Sequence, residues 1–214
     1  MKMTKPKMLV QFDIDSTFIE QEAIELLAAK AGVLAEVARI TESAMKGEID
    51  FAQSLKSRVA LLKGLPVETL DEVRSEIVLT DGAVELVDLL HGLGHSVSLV
   101  SGGFVQIMQP IVSQLSIKYF KANVLEIHNG VLTGGVTGAI VDRAAKADAL
   151  KEFAAQADVL LENTVVIGDG ANDLDMMAIA GLSIAFNAKP IVAAAADLSI
   201  NERSLRSVSS LLGL

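Results

Sequence analysis

The sequence predicts an α/β protein whose core is a doubly wound, mostly parallel sheet, interrupted after its first strand by a helical insertion. Three observations carry that prediction. Beyond residue 80, short apolar runs alternate with longer stretches of helical periodicity, the pattern of successive strand–helix–strand units. Residues 18–79 break the alternation and show helical periodicity almost throughout. Asn129-Gly130 stands between two short apolar runs, a strong signal for a β-hairpin.

The first apolar run, residues 8–12, reads as a short buried strand and is followed by Asp13-Ile-Asp15-Ser-Thr17, rich in turn and cap residues. A helix is expected over 18–30, stopped by Gly32, with further helices over 34–45, 51–62 and 66–77. Asp50 and Gln53 form a capping box at the start of 51–62. Next come helix 82–93, strand 96–100, helix 104–115 and two hairpin strands within 123–141. Helix 145–156, strand 164–167, helix 173–180 and strand 183–186 follow, and a short helix, a short strand and a last helix close the chain. The expected architecture is a Rossmann-like core domain of residues 1–17 and 80–214, an all-helical cap domain of residues 18–79 and a small β-hairpin flap.

With 214 residues, of which 51% are hydrophobic and 21% charged, the chain can bury a sizeable core and is not disordered. Its net charge of −9 disfavours nucleic acid and anionic membranes as partners, so an anionic ligand needs locally placed cations. There is no cysteine, which removes disulfides, zinc–thiolate sites and thiol catalysis. The apolar run after the basic start is too short for a signal peptide, and no run approaches a membrane span. A cytoplasmic protein, monomeric or homodimeric, is expected.

In open parallel sheets, ligands bind beyond the carboxyl ends of the strands. Three strands here end in polar, glycine-rich sequence: Asp13-Ile-Asp15-Ser-Thr17, Ser101-Gly102-Gly103 and Gly168-Asp169-Gly-Ala-Asn172-Asp173. Each has an ordinary explanation by itself. The first can cap a helix, the second can be a turn, and the third resembles a dinucleotide fingerprint lacking its third glycine. Lys146, near a helix start, would ordinarily be solvated. Together they say more. Carboxylates of Asp13, Asp15, Asp169 and Asp173 on one rim repel unless a cation binds there, and hard oxygen donors without His or Cys point to Mg2+. The amides and hydroxyl of Ser101-Gly102-Gly103 suit phosphate oxygens, and Lys146 adds positive charge, which completes the parts needed for phosphoryl transfer.

Asp13-x-Asp15-x-Thr17, Ser101, Lys146 and Gly168-Asp169-Gly-x-Asn172-Asp173, in that order, resemble the four motifs of haloacid-dehalogenase superfamily phosphatases. Arg58-Val-Ala-Leu-Leu-Lys63, Val100-Ser-Gly-Gly-Phe104 and Ala188-Lys-Pro190 extend the likeness over essentially the whole chain, to the branch that acts on O-phosphoserine, in its single-catalytic-domain form. The resemblance implies that Asp13 is the nucleophile, forming an aspartyl-phosphate, and that Asp15 is proton donor and then general base. It implies Mg2+ held by the side chains of Asp13 and Asp169 and the backbone carbonyl of Asp15, with Asp173 in support. Ser101, Gly102, Lys146 and Asn172 would hold the phosphoryl group.

Substrate choice is expected from the cap. Phe51, Leu55, Arg58 and Leu62 share one helical stripe. An arginine there either snorkels at the stripe's edge or grips a carboxylate with two hydrogen bonds. The resemblance favours the grip, makes Glu22 the partner of an ammonium group, and has Met45 and Phe51 line the pocket. A small phospho-amino acid follows, with O-phospho-L-serine hydrolysed to L-serine in the last step of serine biosynthesis. Transfer of the phosphate to a second alcohol such as homoserine stays open. A phosphoaspartate signalling module is disfavoured, because such modules carry the aspartate after a later strand and lack a long helical insertion. His91, His95 and His128 lie outside the motifs and are expected at the surface or in the hairpin.

Overall fold

The computed structural model describes residues 6–45, without the Met45 side chain, and 48–214. Among these residues the strands are β1 (Leu9–Asp13), β2 (Ser96–Phe104), β3 (Tyr119–His128), β4 (Val131–Thr137), β5 (Thr164–Gly168), β6 (Leu182–Phe186) and β7 (Leu198–Ile200). They form one sheet in the order β4-β3-β2-β1-β5-β6-β7, parallel except for the antiparallel pair β3–β4. Helices α1 (Ala23–Lys30), α2 (Leu34–Met45), α3 (Phe51–Ala60) and α4 (Thr69–Glu76) lie between β1 and β2, followed by α5 (Ala83–Gly92). The remainder are α6 (Val105–Gln114), α7 (Arg143–Gln156), α8 (Leu174–Ile179), α9 (Pro190–Ala193) and α10 (Arg206–Leu211).

β1 occupies the middle of the sheet and is buried along its whole length, as a strand covered on both faces must be. Its side chains alternate. Val10 and Phe12 belong to one apolar cluster with Leu27, Leu55 and Leu90, whereas Leu9 belongs to a second with Leu150, Phe153 and Met176. The same alternation turns Gln11 and Asp13 toward α7 and α8. There the Gln11 amide donates to the Met176 sulfur (3.3 Å) and to the Lys146 carbonyl (3.4 Å).

Several elements differ from expectation. The first helix begins at Ala23, not at 18, because residues 14–18 close a wide turn in which the Ile19 N–H donates to the Ile14 carbonyl (3.0 Å). Ile19 then pairs with Leu79, and Glu20 N–H to Val78 O (2.9 Å) and Thr80 N–H to Phe18 O (3.0 Å) hold the outgoing and returning chains side by side. β2 runs on to Phe104, and its register against β3 shifts between Val100 and Phe104, so Ser101-Gly102-Gly103 is an irregular part of a strand and not a turn. β3 starts at Tyr119, pairs in parallel with β2 and only then enters the hairpin, whose turn has positive φ at Asn129 (50°) and Gly130 (77°). The hairpin also bonds to the α3–α4 connection: Gly64 N–H to Leu132 O (2.8 Å), Leu132 N–H to Leu65 O (2.9 Å) and Val67 N–H to Gly130 O (2.9 Å). His95 is not a surface residue; it is buried, and its Nδ1 accepts from the Met8 N–H (3.1 Å). Asp50 caps α3 as expected, accepting from the Gln53 N–H at 2.8 Å. Among the described residues no helix is long and apolar enough to cross a membrane.

Candidate active site

β1 lies between β2 and β5, so the sequences at the carboxyl ends of these parallel strands meet on one rim. Asp13 is the last residue of β1. Asp142 caps α7, accepting from the Ala145 N–H (2.9 Å), and this sets Lys146 in the first turn pointing back at the sheet. The Lys146 ammonium is fully buried, 2.7 Å from Asp13 Oδ1 and 2.8 Å from Asp173 Oδ1. Asp173 also accepts from the Gly170 N–H (3.1 Å), and a Cβ at Gly168 would come within 2.4 Å of its Oδ2, so only glycine fits at the end of β5.

Carboxylate oxygens of Asp13, Asp169 and Asp173 lie within 4.8 Å of one another. One buried lysine faces three acids, and the imbalance is visible in their titration. Burial, then the charge of Asp173, pushes the Asp13 carboxyl well above its ordinary range, although Lys146 pulls it down. Burial and Asp173 raise Asp169 to about 6. Burial disfavours the Lys146 ammonium, but Asp13 and Asp173 outweigh it and hold its pKa above the ordinary lysine value. Burial is the main cause of the two raised carboxyls and the neighbouring acids add to it, and a cluster made only of oxygen donors fits a hard divalent cation.

The Asp15 carboxylate stands apart from this cluster. Its Oδ1 accepts from the Ala23 N–H at the start of α1 (2.8 Å), and its Oδ2 accepts from the Ser101 hydroxyl (2.8 Å). Helix capping and a place in the site are thus both true of Asp15. The Ser101 hydroxyl in turn accepts from the Gly103 N–H (2.7 Å). The backbone reaches this arrangement through Ser16, at φ +58°, a left-handed conformation that non-glycine residues adopt at a cost.

These groups border a cavity of about 620 Å³. Its floor includes Asp13, Asp15, Gly102, Asp169 and Asn172, with Ser101, Lys146 and Asp173 sealed beneath. Its roof includes Glu22, Phe51 and Arg58 from the helical block. Roof and floor touch where a Cβ on Gly102 would sit 2.8 Å from the Phe51 ring. Glu22 accepts from the Ser16 hydroxyl (2.7 Å), and burial followed by repulsion from Asp15 lifts its carboxyl to about 7. Arg58 is half-buried; burial lowers its pKa while Glu22 opposes the shift. The Met45 side chain lies outside the described residues. The cavity also takes in Lys189, from the Ala188-Lys-Pro190 segment, and Glu25, Thr41, Ser54 and Arg143, which the sequence did not single out, since isolated hydroxyls and surface-type charges carry no spacing signal.

Residues 10–178 match the family model of haloacid dehalogenase-like hydrolases. The chain belongs to this family. It is 54% identical over 206 residues to the phosphoserine phosphatase of Streptomyces coelicolor, covering 96% of this chain and 50% of that protein. It is 48% identical over 202 residues to the phosphoserine phosphatase of Lactococcus lactis, covering 94% of each. A solved structure of a phospho-aspartyl intermediate analogue of phosphoserine phosphatase superposes with a TM-score of 0.91 at 43% identity, covering 97% of this chain and 99% of that one. The chain spans about half the length of the Streptomyces relative and nearly all of the Lactococcus one.

Proposed function

We propose that the chain is a Mg2+-dependent phosphohydrolase that converts O-phospho-L-serine and water into L-serine and inorganic phosphate by way of an aspartyl-phosphate on Asp13. One observation carries the reading: a single cavity has a floor of carboxylates around a buried lysine and a roof bearing one acid, Glu22, and one guanidinium, Arg58. The floor suits a phosphoryl group. The roof offers an opposite charge for each end of an α-amino acid.

Asp13 attacks phosphorus, and the ester oxygen leaves as the serine alkoxide, taking its proton from Asp15. Asp15, now a carboxylate, deprotonates the water whose oxygen attacks the aspartyl-phosphate; the bond from phosphorus to Asp13 breaks and phosphate departs. A phosphate dianion beside a carboxylate at 4 Å costs about 4 kcal/mol per unit pair at an effective dielectric near 20. Lys146 offsets part of this from beneath. The side chains of Asp13 and Asp169 and the backbone carbonyl of Asp15 would hold Mg2+, with Asp173 supporting them, and the ion supplies the remaining positive charge to the phosphoryl oxygens. Ser101, the Gly102 amide, Lys146 and Asn172 fix those oxygens. Glu22 takes the substrate ammonium, Arg58 its carboxylate, and Phe51 excludes water. Residues 18–79 act as a cap over the core of residues 1–17 and 80–214 and open to admit a small molecule. The acidic, cysteine-free composition fits a cytoplasmic enzyme, monomeric or homodimeric.

The test is phosphate release from O-phospho-L-serine, O-phosphothreonine, a sugar phosphate, a nucleotide and O-phosphoethanolamine, with Mg2+ and with EDTA, and product analysis with added homoserine. Phosphoserine should be preferred, activity should vanish in EDTA, and no phosphohomoserine should form. Arg58→Ala should raise KM for phosphoserine about 100-fold, the loss of a charged bidentate contact, while sparing phosphoethanolamine, which has no carboxylate. Indifference of phosphoserine turnover to Arg58 would overturn the substrate assignment and leave the chemistry of Asp13 standing.

The Glu22 titration gives a second expectation. An ammonium group binds the ionised acid, and with a pKa of about 7 Glu22 is mostly neutral at pH 6. KM for phosphoserine should therefore fall roughly tenfold from pH 6 to pH 8, more than KM for a phosphate ester without an amino group. Glu22→Gln should abolish the difference between the two substrates; a difference that survives in that variant assigns the pH effect to another group.

A further inference from the structure

The cavity roof contains a polar group with nothing to bind. The Ser54 hydroxyl is fully buried and has no hydrogen-bond partner, alone among the buried side-chain nitrogens and oxygens of the described residues. A serine inside a helix ordinarily turns its hydroxyl back onto the carbonyl four residues earlier, and a buried hydroxyl left unpaired is destabilising. On α3 that carbonyl, Asp50 O, is held by the Ser54 N–H (2.9 Å) and not by the hydroxyl.

The neighbours indicate what the hydroxyl serves. Ser54 and Arg58 are four residues apart on α3, hence on one face, and both border the cavity. The Arg58 side chain folds back over Ser54, its Nε donating to the Ser54 carbonyl at 3.3 Å. Thr41, across the same corner, already has its hydroxyl committed to the Val37 carbonyl (3.0 Å) and faces Arg58 Nη1 at 3.4 Å. A carboxylate taken up by the Arg58 fork would lie against the Ser54 turn. Its two oxygens accept about four hydrogen bonds, of which a fork fills two, and a serine hydroxyl re-aims by rotation about χ1.

We propose that Ser54 is a specificity-determining residue whose hydroxyl donates to the substrate carboxylate gripped by Arg58. The inference rests on the reading that the substrate is O-phosphoserine and adds a donor to its recognition. It gives the roof a means of favouring phosphate esters that carry a carboxylate, because only they give the buried hydroxyl a partner.

The experiment measures KM and kcat for O-phospho-L-serine and O-phosphoethanolamine, with melting of the ligand-free protein, for wild type, Ser54→Ala and Ser54→Cys, the last of the same shape but somewhat larger and a weak donor. Both variants should raise KM for phosphoserine about tenfold, with kcat changing less and phosphoethanolamine little affected. Ligand-free Ser54→Ala should melt no lower than wild type, since no bond is lost and alanine favours the helix. A structural hydroxyl would give the opposite: lower melting and equal effects on both substrates, which overturns the proposal. A KM for phosphoserine within twofold of wild type also overturns it. If wild type itself does not prefer phosphoserine, the proposed function fails first; if wild type prefers it and Ser54→Ala keeps the full preference, the Ser54 assignment alone fails.

Discussion

Asp13→Asn is expected to lower kcat by at least about 10⁴-fold, because an amide cannot take up the phosphoryl group and the two-step route closes. Wild type mixed with phosphate-labelled phosphoserine and quenched in acid should carry label on the chain, and the variant none. Stability should move the other way. Burial and Asp173 raise the Asp13 carboxyl well above its ordinary range, so at neutral pH its charge opposes folding of the ligand-free chain. Asparagine removes that charge at nearly constant volume and leaves Lys146 its contact with Asp173. The variant should unfold in EDTA at a urea concentration no lower than wild type. A kcat within about a hundredfold of wild type would move the nucleophile elsewhere.

Lys146→Met should have the opposite effect on stability. It removes the buried cation between Asp13 and Asp173 and leaves the acidic cluster unneutralised, a change that typically costs about 3–5 kcal/mol. The loss should be largest in EDTA and partly restored by Mg2+, and turnover should fall with it. The sign of the pH dependence follows from the acids. A carboxyl whose pKa is higher in the folded than in the unfolded chain favours folding only while protonated, so ligand-free stability should decline as pH rises from about 4 through the Asp169 value of about 6. Divalent cation should flatten that decline. Urea midpoints across this pH range, with EDTA and with Mg2+, check both statements. A loss below about 1 kcal/mol in EDTA would mean that Lys146 does not neutralise the cluster.

Much of this arrangement was legible in the sequence because strand alternation is rigid. With residues 8–12 as a strand, Gln11 shares a face with the Asp13 that follows it, and a helix from 145 puts Lys146 in its first turn; the true start at Arg143 and its Asp142 cap were not read. The helix from 34 was readable at its start and through the described residues up to 45, because its apolar stripe is regular. The start of the first cap helix was not. Asp15, Ser16 and Thr17 look like an N-cap, but Asp15 caps a helix that begins eight residues later, at Ala23, across a turn that no local pattern announces. The parallel half of β3 escaped because alternating polar residues gave only its hairpin half a signal. Ser54 was invisible for a different reason: serine is unremarked in any helix, and a missing partner exists only in three dimensions.

The three backbone bonds from residues 64–67 to the hairpin make two insertions, far apart in sequence, into one mechanical part. The helical block is rooted at the centre of the sheet, after β1, and the hairpin at its edge, through β3. The block therefore has two anchorages on the sheet, and a swing of it would have to carry the hairpin along or break these bonds. Modular transplantation is constrained in the same way. A chimera that takes the helices onto another core without residues 119–137 would leave the Gly64 and Val67 amides with no carbonyl to bond, so the two pieces have to travel as a pair.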